Sequence, residues 1–164
     1  MTMKPNLFII TLVFAFSAMG FAETRSAWGL QTGAYLTQVR RSGRPPAGLY
    51  VQATSPAVLY NVQIALVLEV EEWGDRYGGV GLNLPFQVTE WFGFAGVSTF
   101  GYYDKGSRFD LGGPYQFRNG LDLYFGKVEG PGRLVIGYSH HSSSGLSQPN
   151  SGKESFRVGW LIQI

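Results

Sequence analysis

The sequence predicts an all-β protein, an eight-stranded antiparallel barrel that crosses a membrane through its strands. Three observations carry this. About eight segments alternate apolar and polar residues with the two-residue period of a strand. The chain holds 23 glycines and 15% aromatic residues at a mean hydropathy near zero, as expected where apolar side chains face lipid and polar ones line an interior. It also opens with an export segment.

That segment runs from a short start carrying Lys4 through the apolar residues 7–16 to the small residues Gly20 and Ala22. A charged start, a short apolar stretch and a small-residue cleavage site make a signal peptide rather than a bilayer-spanning helix. Cleavage is expected after Ala22, dividing the chain into a signal peptide (1–22) and a barrel domain (23–164).

The first strand puts Trp28, Leu30, Thr32, Ala34 and Leu36 on one face and Gly29, Gln31, Gly33 and Tyr35 on the other. After the basic turn segment 40–46, Leu49, Val51 and Ala53 alternate with Tyr50, Gln52 and Thr54. The third strand sets Val62, Ile64, Leu66, Leu68 and Val70 against Gln63, Ala65, Val67, Glu69 and Glu71. A helix competes there, but β-branched residues on the apolar face and the Gly74–Asp75 neighbourhood, which reads as a turn, favour strand.

In the fourth strand Val80, Leu82 and Leu84 oppose Gly79, Gly81 and Asn83; the fifth starts at Phe92 and Phe94 and reaches Tyr103. The sixth opposes Phe117, Asn119, Leu121, Leu123 and Phe125 to Arg118, Asp122 and Tyr124. Leu134, Ile136, Tyr138, His140 and Ser142 share a face of the seventh, and Glu154, Phe156, Val158, Trp160, Ile162 and Ile164 a face of the eighth. An even count lets the sheet close without an open edge in lipid, with both termini in the periplasm. Segments near 40–47, 73–77, 103–115 and 143–153 then lie on the outer side, and 55–60, 85–90 and 126–131 are periplasmic turns.

Composition excludes several classes. After Ala22 the charges nearly cancel, 12 basic against 11 acidic, and no long basic block suggests nucleic acid. An exported chain without cysteine has no disulfide framework and no Cys-ligated metal. A barrel of this size fills its interior with side chains, which argues against a pore. Glu69, Glu71, Arg118, Asp122, Arg133 and Arg157 fall on the interior face and are expected to form a structural polar network.

The two histidines are adjacent, His140 and His141, and precede Ser142, Ser143 and Ser144. Side chains two apart share a strand face, so two pairs are open: His140 with Ser142 facing outward, and His141 with Ser143 facing inward. The next strand favours the outward pair, because Glu154 falls on that face and can meet His140 across one hairpin. In a Ser–His–acid arrangement the imidazole takes the serine proton during attack on an ester carbonyl, while the acid holds the useful tautomer. Near a strand end the charge costs roughly 0–1 kcal/mol, against about 2–4 for Arg or Lys at the bilayer midplane. A two-histidine metal site lacks further ligands, so no metal or other cofactor is expected.

His140, Ser142, Gly145, Leu146, Pro149, Asn150, Gly152 and Glu154 together resemble the C-terminal signature of the PagL family. The resemblance covers about the last quarter of the chain. It implies an outer-membrane barrel that hydrolyses the ester-linked acyl group at position 3 of lipid A, with Ser142 as nucleophile, His140 as base and Glu154 as orienter, and it allows a homodimer. Where family members commonly carry Asn after the serine, at the oxyanion site, this chain has Ser143. The oxyanion donors would then come from Ser143, Ser144 and Gly145, a substitution that matters because one such donor can carry on the order of a hundred- to a thousandfold in rate.

Arg40, Arg41, Arg44, Lys105, Arg108 and Lys153 map to the outer loops, where they would contact the phosphates and core sugars of lipopolysaccharide. The acyl chain would lie on the outer surface around Leu134, Ile136, Phe156 and Val158. Two other functions compete with the deacylase, a lipid A acyltransferase on a similar barrel and a non-enzymatic structural or adhesive barrel, and the lipid products distinguish the three.

Overall fold

A computed structural model describes residues 27–37, 44–106, 111–146 and 152–164. The expected signal peptide lies outside the described residues, as do Arg40, Arg41, Arg108, Pro149 and Asn150.

Eight strands follow in chain order: β1 Gly29–Thr37, β2 Ala47–Thr54, β3 Gln63–Glu71, β4 Arg76–Gln87, β5 Phe92–Asp104, β6 Tyr115–Phe125, β7 Arg133–Ser142 and β8 Lys153–Gln163. Each pairs antiparallel with the next, and β8 returns to β1 through pairs such as Ala34 with Val158, closing the barrel. Every strand predicted from alternation is present. The third is a strand and not a helix because its period-two burial is unbroken from Gln63 to Glu71.

Closure inverts the usual arrangement of a soluble core. Leu66, Leu68, Ile136, Phe156 and Val158 are exposed on the outer wall, whereas Arg118, Arg157, Gln52, Gln63 and Asp122 are buried inside. The outward stripe continues around all eight strands, as a hydrocarbon environment requires. Trp28, Trp91 and Trp160 mark the end that holds both termini; Tyr102 and Tyr115 mark the long-loop end. These are the two aromatic girdles of a membrane barrel.

Four of the interior charges form two ion pairs. The Nε of Arg118 lies 2.7 Å from Oε1 of Glu69, and Nη2 of Arg157 lies 2.6 Å from Oδ1 of Asp122. Arg133 donates to Gln87 at 2.9 Å. These contacts form a polar network in the interior, where a buried charge is tolerated when its partner is fixed beside it.

Lys153 departs from the loop position expected of it. It is the first residue of β8, one position before the outward Glu154, so its side chain points into the barrel and is 4% exposed. There its Nζ lies 2.5 Å from Glu71 and 2.9 Å from Asp75, under the ring of Tyr103. Buried and doubly paired, it is unsuited to the lipopolysaccharide contact that the sequence suggested.

Candidate active site

The β7–β8 hairpin sets the geometry of the three expected catalytic residues. His140 and Glu154 are direct register partners on neighbouring strands, which puts their β-carbons about 4.5–5.5 Å apart on one face. Ser142 follows His140 by two residues on that face and is opposite Phe117 of β6. All three are partly exposed on the outer wall at the long-loop end.

His141 and Ser143 alternate inward, 2% and 0% exposed. The Nε2 of His141 is 3.1 Å from Oε2 of Glu69, and its ring meets Tyr77 edge-on at 4.8 Å. The adjacent histidines are thus separated by the barrel wall, with one facing lipid and one facing the polar interior.

Just beyond β7 the chain turns sharply. Ser144 and Gly145 have φ angles of 50° and 85°, and the N–H of Leu146 donates to the carbonyl of Ser143 at 2.9 Å. Positive φ at both central positions identifies a type I′ turn. The turn's own hydrogen bond uses neither the N–H of Ser144 nor that of Gly145, two and three residues after Ser142 in the chain. The Ser143 hydroxyl, turned into the barrel, faces away from that side.

Gly152 completes the local packing, because a side chain there would collide with the His140 ring. Arg44 is in the β1–β2 loop, exposed, with Nη2 3.1 Å from Glu72 of the β3–β4 turn. Lys105 is likewise exposed in the β5–β6 loop.

Below the site, Ile136 is opposite Val158 and Tyr138 opposite Phe156, the two rings meeting edge-on at 5.3 Å. Two neighbours on β6 were not anticipated as site residues. Phe117 faces Ser142 and packs on Phe100 at 4.8 Å, and Asn119 faces His140. Asn119 had a visible signal, as a polar residue within the apolar stripe Phe117, Leu121, Leu123, Phe125; Phe117 had none until strand register was known.

A separate groove of about 520 Å³ runs along the outer wall from Leu49 and Leu68 to Gly78 and Tyr102. It is on β2–β5, away from the β7–β8 hairpin, and its lining includes neither histidine nor serine.

The sequence model of the family described as "Lipid A 3-O-deacylase (PagL)" matches residues 23–162. Among solved structures, the crystal structure of the outer membrane enzyme PagL is similar at a TM-score of 0.65 and 13% identity, over 83% of this chain and 99% of that one. A de novo designed transmembrane β-barrel gives 0.64 at 10% identity, over 87% and 99%. The Yersinia pestis outer membrane protein Ail gives 0.54 at 11% identity, over 85% and 99%. No curated protein matches the chain.

Proposed function

The chain belongs to the PagL family of lipid A 3-O-deacylases, outer-membrane hydrolases, and from that membership we propose that it is a serine esterase acting through Ser142, His140 and Glu154. Its substrate is the 3-hydroxyacyl ester at position 3 of lipid A in the outer leaflet. The mature protein is the barrel domain 23–164, exported after cleavage at Ala22. The observation that carries this reading is the direct pairing of His140 with Glu154, with Ser142 two residues along the same outward face.

Ser142 Oγ attacks the ester carbonyl while His140 takes its proton, and Glu154 stabilises the resulting imidazolium. The N–H groups of Ser144 and Gly145, which the hydrogen bond of the type I′ turn does not use, are the donors for the oxyanion. On collapse the bond to the sugar oxygen breaks, and His140 returns the proton to that oxygen. Water then attacks the acyl-enzyme, giving its proton to His140, and a free 3-hydroxy fatty acid leaves as Ser142 is regenerated. The outward apolar residues Ile136, Phe156 and Val158 hold the chain against the wall, and the exposed Arg44 of the β1–β2 loop is the cation that would meet a substrate phosphate.

Mass spectrometry of lipid A tests this in a bacterium that keeps its 3-position acyl chain, expressing wild type, Ser142→Ala or His140→Ala. Wild type should remove one 3-hydroxyacyl group. Each variant should lose this activity by about ten-thousandfold or more, with its heat-modifiable barrel mobility intact. Full activity in Ser142→Ala would remove Ser142 as the nucleophile, and transfer of the chain to a second lipid would replace hydrolysis by acyl transfer.

A further inference from the structure

The polar surface around His140 does not end at the hairpin. Glu154, His140, Asn119 and Ser98 are successive register partners across β8, β7, β6 and β5, forming one continuous row on the lipid-facing wall. The Ser98 hydroxyl donates to Oδ1 of Asn119 at 2.7 Å, and both residues are exposed. Phe100 and Phe117 bound this pair on the loop side, and Gly96 and Leu121 on the other.

The row also descends into the membrane. Glu154 is the second residue of β8, whereas Ser98 is at the midpoint of β5. Three strand spacings of ~4.8 Å along strands tilted by ~40° correspond to a drop of about 9 Å. An amide exposed to hydrocarbon is costly unless it meets hydrogen-bonding partners. Ser98 satisfies one side of the Asn119 amide, leaving its Nδ2 donors to face a group arriving from the lipid.

We infer that Asn119, held by Ser98, is a specificity-determining residue that hydrogen-bonds the 3-hydroxyl of the acyl chain being removed. This rests on the esterase reading given under Proposed function. Asn119 is diagonal to Ser142 across the β6–β7 pairing, about 7–8 Å away. A chain with its carbonyl carbon at Ser142 carries its 3-hydroxyl oxygen three bonds further along, on the second carbon beyond the carbonyl, within reach of the Asn119 side chain. A plain acyl chain would instead leave that amide donor unpaired, so recognition acts on the chain and not on the sugar.

The test uses the full protein extracted from outer membranes and two synthetic glucosamine phosphate lipids. These bear position-3 chains of equal length, one 3-hydroxylated and one plain. Wild type should favour the hydroxylated lipid about tenfold in kcat/KM. Asn119→Leu, which matches the lipid-facing wall, should bring that ratio to about one while still cleaving the plain lipid. Ser98→Ala, which leaves Asn119 in place without its anchor, should fall between. Equal cleavage of both lipids by wild type, or an unchanged ratio in Asn119→Leu, overturns the inference and leaves the esterase intact. Cleavage of neither lipid by wild type overturns both.

Discussion

A β-carbon placed on Gly152 would lie 2.6 Å from Cε1 and 3.2 Å from Nε2 of His140. The imidazole therefore packs against bare backbone where the chain enters β8, and the position of the ring depends on the absence of a side chain there. Gly152 also has a φ of +63°, which costs an L-residue additional strain. Gly152→Ala should lower kcat at least about tenfold by turning His140 away from Ser142, since small misplacements of catalytic groups are expensive. KM should change less, and the barrel should still show heat-modifiable mobility. Steady-state kinetics on extracted protein check this, and an unchanged kcat would mean that the ring has room to move without consequence.

The two histidines give a second contrast. His140→Ala should abolish hydrolysis with little loss of stability, because its ring is on the outer wall. His141→Ala should behave in the opposite way, retaining hydrolysis while its removal opens a cavity beside Tyr77 and takes a partner from Glu69. The expected cost is about 1–3 kcal/mol, read as a lower urea midpoint in lipid vesicles. Loss of activity in a stably folded His141→Ala barrel would shift the chemistry to the interior.

These contrasts also mark how far the sequence could be read. Alternation alone separates His140 from His141 and Arg118 from Asn119, because a strand wall has two sides and the solvent on each is different. Pairing of Glu154 with His140 was legible as a possibility, since one antiparallel hairpin joins their strands. The register of β6 against β7 depends on the turn at 126–132 and on interior packing such as Arg157 with Asp122, and one strand's residue pattern does not specify it. Lys153 was misplaced for a related reason. Its loop composition looked polar and solvated, yet the alternation that puts Glu154 outside already requires Lys153 inside.

Asp75 gathers three donors at the outer mouth of the barrel: the Tyr103 hydroxyl at 2.5 Å, the Gly106 N–H at 2.8 Å and Lys153 Nζ at 2.9 Å. Burial alone would raise its pKa, but the Tyr103 hydrogen bond and the Lys153 charge outweigh burial and hold the carboxyl below its ordinary value. A depressed folded-state pKa stabilises the protein above the unfolded value of about 3.9, and this contribution is lost as pH falls through the folded value. Asp75→Asn should therefore unfold at lower urea than wild type at pH 7, with the gap narrowing as pH falls below about 4. Lys153→Met should be more damaging at neutral pH, by about 3–5 kcal/mol, because it strands Glu71 and Asp75 together without their cation. Combining it with Asp75→Asn should recover part of that loss, since one of the two stranded charges is gone. A gap between wild type and Asp75→Asn that stays constant from pH 7 to pH 3 would remove ionised Asp75 from the forces closing the outer mouth.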